Sequence, residues 1–269
     1  MTFKAEKGRF RYGIITGSKT QSEQDELSIL TNPIKDIKDS ISKSDEKDTS
    51  KIARAALIKR YELMELKETA INKKYIETYP NSIISASVLS VHSADWGKSA
   101  VEPLYRKFSP ELKNTYFGKE IAAFLIHNKE LKVGDHYADF EQQSFDGKVL
   151  KLSNYTGKLT LLEFWASWCG PCRKDNPELI KTYNQFKDKG FKIVAVSADD
   201  KKQDWLKAIE QDKLPWPQVC DLKGDQNDVV LMYGVNKFPS NFLIDDKGII
   251  IAQDLRGEEL QKRLATLLN

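Results

Sequence analysis

Residues 159–172 have the sequence Leu-Thr-Leu-Leu-Glu-Phe-Trp-Ala-Ser-Trp-Cys-Gly-Pro-Cys. The first half of this stretch is an apolar run that predicts a buried strand, and the segment after Cys172 favours a helix. Cys169 is therefore predicted to lie at a strand-to-helix junction, at the N-terminus of the helix. Unpaired backbone N–H groups and the helix dipole favour an anion at that place. For a cysteine this anion is the thiolate, which is the form that attacks a disulfide.

Two cysteines at this spacing have other uses, and each of these predicts something else in the sequence. Structural zinc needs about four ligands, but neither the third cysteine, Cys220, nor any of the three histidines stands at finger-like spacing from the pair. A static disulfide across Gly170-Pro171 would close a very short loop and constrain little of the unfolded chain. Two core cysteines without chemistry would not explain the preceding Trp168 or the strand–turn–helix setting. A redox-active dithiol is the hypothesis that these features favour.

The surroundings of the pair resemble the thioredoxin superfamily. Its members carry an acid six positions before the first cysteine and a proline eight positions after it, and Glu163 and Pro177 stand there. They also carry Tyr-Gly followed by a cis-proline, which is matched by Tyr-Gly-Val-Asn-Lys-Phe-Pro-Ser at 233–240, with Ser240 in place of the usual threonine. The resemblance implies a cis Phe238–Pro239 bond beside the dithiol, where it presents backbone to a substrate strand.

Two additions to this pattern are similar to those of TlpA/ResA-type thiol-disulfide reductases. A hairpin is predicted over 140–150, with Asp-Gly at its turn. A long segment over 197–232 precedes the cis-proline, with a helix predicted around Trp205–Ile209 and a short strand near Val219–Cys220. The resemblance covers about residues 133–269. It implies an α/β thioredoxin-like fold, with a central mixed sheet flanked by helices, preceded by a mostly α-helical domain. ResA-like members carry an acid three positions after the second cysteine, where Asp175 stands, whereas many TlpA-like proteins have a neutral residue at the place of Glu163.

The resemblance implies a role for each residue of the site. Cys169 is expected to be the exposed nucleophile, and Cys172 the buried cysteine that resolves the mixed disulfide. Glu163 is the candidate acceptor of the Cys172 proton, and the alternative is a strand-end carboxylate paired with a lysine. Asp175 is a candidate tuner of the pair, and the alternative is a first-turn acid that favours the helix dipole. The expected substrate-binding residues are Trp168, Gly170, Pro171, Phe238 and Pro239.

A protein-disulfide reductase is the leading function, because Gly-Pro between the cysteines matches thioredoxin, a reducing pair near about −270 mV. The expected partners are disulfide-bearing client proteins and a membrane thiol electron donor, with no cofactor beyond the redox-active Cys169–Cys172 disulfide and no metal. A thiol peroxidase of the peroxiredoxin type is an alternative, but Ala166 and Leu162 stand where it would carry Thr or Ser and proline. A non-enzymatic copper- or client-binding module also stays open, although no methionine or histidine lies near the pair in sequence.

The 269 residues predict more than one domain. The predicted division is a remnant of an upstream β-rich module at 1–19, an α-helical domain at 20–132 and the thioredoxin-like domain at 133–269. Helices are predicted over 51–79 and from Ser109 to about Asn128. Two further expectations are a loop or frayed helix over 36–51, and a strand around Phe10–Ile14 after which no obvious partner strand follows until Phe140.

Charge and hydropathy bear on partners and location. The net charge of +3, with both signs interspersed and no strong basic block, predicts no nucleic-acid surface. The polar segment Thr2–Arg11 lacks the apolar core of a signal peptide, which by itself predicts a cytoplasmic protein. The resemblance instead implies the periplasm or cell envelope, and hence a truncated N-terminus, and we give it more weight. The helical half is expected to form a homodimer or to hold a client.

Overall fold

The computed structural model describes residues 2–4, 14–45 and 51–268, and the chain divides between Ala122 and Ala123 into two units. The segment 123–132 belongs to the second unit, and two hydrogen bonds tie it to residues 231 and 232 of that unit. Asn128 Nδ2 donates to Leu231 O at 3.2 Å, and Lys129 N donates to Met232 O at 2.9 Å. The observed division therefore precedes residue 133, and the three-part division at 19/20 and 132/133 stays a prediction.

Helices dominate the first unit. They are α1 (Lys19–Asp45), α2 (Lys51–Thr78), α3 (Ile83–Trp96), α4 (Lys98–Arg106), α5 (Pro110–Lys113) and the start of α6 (Tyr116–His127). Leu27 of α1, Tyr75 of α2 and Ile84 of α3 form a buried cluster, and the hydroxyl of Tyr75 donates to Glu23 O of α1 at 3.0 Å. The helix predicted over 51–79 is confirmed. Among the described residues, no helix is both long enough and apolar enough to span a bilayer.

The charge-rich segment after Asp36 is helical as far as Asp45, so of the two predicted alternatives, a loop or a frayed helix, the loop is wrong for this part. The reason is that its charges pair with the neighbouring helix α2. Lys38 Nζ lies 3.2 Å from Glu68 Oε2 and 3.3 Å from Glu65 Oε1. Residues 46–50 of the predicted loop lie outside the described residues.

The long helix predicted from Ser109 to Asn128 is divided into α5 and α6. Ser109 caps α5 as expected, accepting from Leu112 N at 3.3 Å, but Thr115 then begins a new helix. Its hydroxyl donates to Leu112 O at 2.6 Å and accepts from Gly118 N at 3.2 Å. A side chain that caps a second helix inside an apolar-periodic segment ends the first one.

Two short antiparallel strands, β1 (Thr2–Lys4) and β2 (Ile14–Thr16), pair with each other near the start of the chain. The expectation concerned a partner strand that follows Ile14, whereas the observed partner of β2 precedes it in the sequence. The alternating residues from Phe10 to Gly13 lie outside the described residues.

The second unit contains a five-stranded sheet in the order β7–β6–β5–β8–β9, preceded by the hairpin β3–β4. β5 pairs in parallel with β6 and antiparallel with β8, so the sheet is mixed, as predicted. The predicted hairpin and the predicted helix and strand between 197 and 232 are also confirmed. The bounds are β3 (Glu141–Gln143), β4 (Val149–Lys151), β5 (Leu159–Trp165), β6 (Phe191–Ser197), β7 (Gln218–Val219), β8 (Ser240–Asp245), β9 (Ile250–Gln253), α7 (Gly170–Phe186), α8 (Lys202–Asp212), α9 (Asp228–Tyr233) and α10 (Gly257–Leu267).

The central strand β5 is buried along its whole length. A strand with neighbours on both edges and cover on both faces is expected to be continuously apolar, and Leu161, Leu162 and Phe164 have no exposed surface. Glu163, in the middle of this run, is the one charged residue of the strand. The fold therefore buries a carboxyl group six residues before Cys169.

Replacing Gly118 with alanine is expected to destabilise the protein by more than about 1 kcal/mol, although alanine is normally the better helix former by that amount. A Cβ at this position would clash with Leu112 O and would lie 2.6 Å from Lys113 O, both backbone atoms of α5. Urea unfolding of Gly118→Ala measures the change. The matched control is Lys119→Ala, an exposed neighbour expected to stay within about 0.5 kcal/mol of the parent; an equally stable Gly118→Ala protein would contradict the contact.

Candidate active site

The cysteine pair lies where the central strand passes into α7. β5 ends at Trp165, and Cys169 is the N-cap residue of α7. Its Sγ accepts a hydrogen bond from Cys172 N at 3.2 Å, and the two cysteines are joined by a disulfide with their Cα atoms 5.3 Å apart. The predicted strand-to-helix junction is confirmed, and a backbone N–H points at the sulfur that is expected to carry charge.

Neither cysteine is exposed in this disulfide form. Cys169 is 4% exposed and Cys172 is 2% exposed, so the expectation of an exposed Cys169 is wrong for this form of the protein. The physical reason is that the Cys169 sulfur is directed into the first turn of α7. There it is bonded to the sulfur of Cys172 and accepts the N–H of the same residue.

An aromatic edge borders the pair. Trp168 is 59% exposed, and its ring meets the ring of Phe238 edge-on with centroids 5.8 Å apart. The Phe238–Pro239 bond is cis, as predicted, and it precedes Ser240, which pairs with Phe164 near the end of β5. The sheet register thus brings two segments that are distant in sequence to one edge.

The other two residues predicted to bind substrate, Gly170 and Pro171, lie exposed in the first turn of α7. Trp165, in contrast, belongs to the core at 2% exposure, and its indole N–H donates to Gln218 Oε1 at 2.9 Å. The structure therefore separates the two tryptophans of the motif, one facing solvent and one facing the core.

Glu163 is 6% exposed and shares a cavity with Cys172. This cavity has a volume of about 40 Å³ open to water-sized molecules, and Asp175 and Arg256 also line it. Removal of the carboxylate from water raises the pKa of Glu163 to about 7, against the opposing effects of Arg256 and Asn241. The predicted place of Glu163 near the resolving cysteine agrees with this shared cavity.

Arg256 is the residue that sequence reasoning missed. Its Nη1 lies 3.5 Å from Glu163 Oε1 and 3.6 Å from Asp175 Oδ2. Glu163 is therefore paired, but with an arginine and not with the lysine of the alternative interpretation. Arg256 stands 93 positions after Glu163 in the sequence, directly before α10, and no motif or spacing points to it. Asp175 contacts the same guanidinium, so the structure brings both predicted acids together.

Cys220 is outside this site. It is 3% exposed and takes no part in a disulfide, and it directly follows β7. Its Sγ donates to Asp199 O at 3.4 Å and accepts from Leu222 N at 3.3 Å, and burial raises the pKa of its thiol. Among the described residues, no cluster of three or more His, Cys, Asp or Glu side chains could hold a metal ion.

Replacing Glu163 with glutamine is expected to stabilise the oxidised protein, and increasingly so as the pH rises. The folded-state pKa of about 7 exceeds the ordinary value of 4.5, so the folded state binds more protons between these values and the parent loses stability as the pH rises through 7. The difference of about 2.5 pKa units corresponds to about 3 kcal/mol. Urea unfolding of both proteins at pH 5 and pH 8 measures it.

The matched control for that experiment is Glu259→Gln, an exposed carboxyl in the first turn of α10. Its effect is expected to be within about 0.5 kcal/mol and nearly independent of pH. A Glu163→Gln protein whose gain in stability is the same at both pH values would contradict a raised pKa.

Several known proteins are similar to this chain. The AhpC/TSA family model matches residues 133–253. The thiol-disulfide oxidoreductase ResA of Bacillus cereus is 31% identical over 153 residues, which are 57% of this chain and 82% of that protein. ResA of Geobacillus thermodenitrificans is 31% identical over 149 residues, 54% of this chain and 84% of that protein.

Among solved structures, the thioredoxin domain of a thiol-disulfide oxidoreductase from Bacteroides vulgatus is 41% identical, with a TM-score of 0.49. It is covered in full, over 52% of this chain. The resemblance stated from the cysteine motif is confirmed by the ResA relatives, because more than four fifths of each is matched. The second unit is accordingly a thioredoxin-like domain, and the chain belongs to the ResA family of thiol-disulfide oxidoreductases.

Proposed function

We propose that this chain reduces disulfides in client proteins through Cys169 and Cys172. The observation that carries the proposal is the hydrogen bond from Cys172 N to Cys169 Sγ at the N-terminus of α7, 3.2 Å long. In the reduced protein the same N–H and the helix dipole would stabilise a Cys169 thiolate. Membership of a thiol-disulfide oxidoreductase family supports the same chemistry.

The exchange proceeds in two balanced steps. The Cys169 thiolate attacks one sulfur of the client disulfide, and the other client sulfur leaves as a thiolate that takes up a proton. Cys172 then loses its proton and attacks Cys169 Sγ, and the second client thiolate is released. Two electrons pass from the pair to the client, and the pair is left as the disulfide that this structure contains. A thiol donor then returns it to the dithiol.

Glu163 is the proposed acceptor of the Cys172 proton. Both residues line one cavity, and a carboxyl group with a pKa of about 7 can take up and release a proton near neutral pH. Asp175 is proposed to tune this group, because its Oδ2 lies 3.6 Å from the guanidinium that also contacts Glu163.

The exposed edge formed by Trp168 and Phe238 is the proposed contact surface for the client. Its two rings meet edge-on at 5.8 Å and offer apolar area beside the disulfide. Pro239 would present backbone to the client strand, and the first turn of α7 would contact it through Gly170 and Pro171.

The resemblance to TlpA/ResA-type reductases supports a periplasmic or cell-envelope location, with a membrane thiol protein as electron donor; a cytoplasmic location is the alternative. A homodimer through the helical unit is part of the proposal, and exposed apolar side chains on its two long helices support it. These are Ile29 and Leu30 on α1 and Leu63 and Leu66 on α2. Fractionation of the native cells and light scattering of the purified protein test location and dimer separately.

The pair is expected to have a reduction potential near that of thioredoxin, about −270 mV, since Gly170-Pro171 separates the cysteines. Equilibration with glutathione buffers, followed by quantification of the two redox forms, measures this potential. A value above about −180 mV, in the range of protein disulfide isomerase, would assign the pair to oxidation or isomerisation instead of reduction.

Insulin reduction tests the activity directly. The parent protein is expected to accelerate insulin reduction by dithiothreitol, and Cys169→Ser is expected to abolish the acceleration because the attacking thiolate is lost. The matched control is Cys220→Ser, which changes a cysteine outside the site and is expected to keep the activity. Acceleration that survives Cys169→Ser would refute the dithiol mechanism, and rapid peroxide consumption without insulin reduction would favour a thiol peroxidase.

A further inference from the structure

We propose that Arg256 is a positioning residue for the resolving step, which holds the Glu163 carboxylate at the cavity beside Cys172 and couples it to Asp175. This inference rests on the proposed role of Glu163 as proton acceptor and adds to it a specific group that controls the acceptor. It concerns a residue that neither the sequence motifs nor the spacing around the cysteines identifies.

The geometry places one cation between two carboxylates. Arg256 Nη1 lies 3.5 Å from Glu163 Oε1 and 3.6 Å from Asp175 Oδ2. The two acids differ in their environment, since the Glu163 side chain is 8% exposed and the Asp175 side chain is 49% exposed. Arg256 thus links a buried acid near the cysteine pair with an acid at the surface. Its interaction with Glu163 is the stronger of the two, because an ion pair is stronger where water is excluded.

The turn that carries Arg256 is fastened to the strand next to Glu163. Asn241 of β8 pairs with Glu163 of β5 in the sheet register. Its Nδ2 donates to Leu255 O at 2.9 Å, and its Oδ1 accepts from Leu255 N at 3.1 Å. Arg256 is the next residue and the N-cap of α10. The guanidinium therefore reaches Glu163 from backbone that the neighbouring strand itself fixes.

Both residues of the ion pair line the cavity, and each has one polar atom without a partner in the described part of the chain. Glu163 Oε2 and Arg256 Nη2 are buried, and neither has a hydrogen-bond partner among the described residues. The cavity volume of about 40 Å³ exceeds the roughly 10–15 Å³ that one water molecule needs. Arg256 contacts Glu163 Oε1. This leaves Glu163 Oε2 to accept the Cys172 proton, directly or through a water molecule.

The charges around the cavity predict opposite effects of Arg256 and Asp175 on the pKa of Glu163. From α7 the cavity is lined by Cys172, Asp175 and Glu178, and from the turn before α10 by Arg256; the neighbours of Glu163 in the sheet register, Ala195 and Asn241, are neutral. Arg256 lowers the pKa of Glu163 and Asp175 raises it. Loss of Arg256 should hence strengthen proton binding by Glu163, and loss of the Asp175 charge should weaken it.

The test is the pH dependence of the resolving step. Reduced protein is mixed by stopped flow with an excess of a symmetric aromatic disulfide from pH 5 to 9. The first aromatic thiol is released as Cys169 forms the mixed disulfide, and the second is released as Cys172 attacks Cys169 Sγ, so the second phase reports the resolving step. Because Glu163 must be ionised to accept the proton, the rate rises through its pKa. Arg256→Gln is expected to move this rise upward by about one pH unit or more, which at acidic pH slows release about tenfold.

Asp175→Asn is expected to move the rise downward, and Arg256→Lys, which keeps the charge, is expected to restore most of the parent profile. Arg263→Gln is the matched control, because Arg263 is an exposed arginine of the same helix α10 and its removal should leave the profile unchanged. A role of Arg256 in folding alone would not move the two profiles in opposite directions. The Glu163 carboxyl resonance, titrated by NMR in the oxidised proteins, gives a readout that is independent of exchange.

The outcomes separate this inference from the function beneath it. If Glu163→Gln removes the rise but Arg256→Gln and Asp175→Asn leave it at the parent pH, the acceptor stands and the role of Arg256 is overturned. If Glu163→Gln leaves the rise unchanged, Glu163 is not the acceptor and the inference fails with it. If Arg256→Gln does not fold, Asp175→Asn decides the question, and an unshifted titration of the Glu163 carboxyl in that variant would refute the coupling.

Discussion

A carboxyl group in the middle of a fully buried central strand is the constraint on which the rest of the site depends. An isolated carboxylate is costly to remove from water, and such a group either binds a proton or acquires a partner. Glu163 does both in part. Its pKa lies at about 7, and Arg256 contacts one of its oxygens at 3.5 Å. The side chain of Asn241 holds the turn before α10 by two hydrogen bonds to Leu255. This turn carries Arg256.

A second buried carboxylate shows the contrast. Asp199, 1% exposed, accepts from Ser167 N at 2.9 Å and from Ser197 Oγ at 2.6 Å. It fastens the segment just before Trp168 to the end of β6. Its oxygens are occupied by fixed donors, as expected for a structural acid. Glu163 instead keeps one oxygen without a partner among the described residues, as expected for a group that exchanges protons.

What the sequence could predict depended on the range of the interactions involved. The strand, the N-cap position of Cys169 and the start of α7 follow from adjacent residues, and the cis bond before Pro239 follows from a motif that the resemblance supplied. The division between α5 and α6 depends on one capping hydroxyl, that of Thr115, and the helix through Asp45 on ion pairs with another helix. Local patterns cannot specify such contacts.

The role of Arg256 could not be predicted from the sequence either, because it depends on a contact between distant segments. Its importance depends on the sheet order β5–β8–β9, which brings the turn after β9 beside the middle of β5. An arginine in a surface turn is ordinary in sequence, and only the position of the turn relative to Glu163 gives it a role. The signal lies in the packing of the strands and not in the residue type.

Burial, Arg256 and Asp175 together bring the pKa of Glu163 to about 7. Burial alone can raise the pKa of a carboxyl by about 3–5 units, and a single cation at contact distance can lower it by about 1–3 units. Burial is the largest effect on the pKa of Glu163 and raises it, Arg256 lowers it, and the charge of Asp175 raises it by a smaller amount. Asp175 Oδ2 lies 3.6 Å from the same guanidinium, and its negative charge partly offsets the effect of Arg256 on the pKa of Glu163. Because Asp175 lies at the surface, any client that approaches it with a charge would change the proton affinity of a group that solvent itself barely reaches.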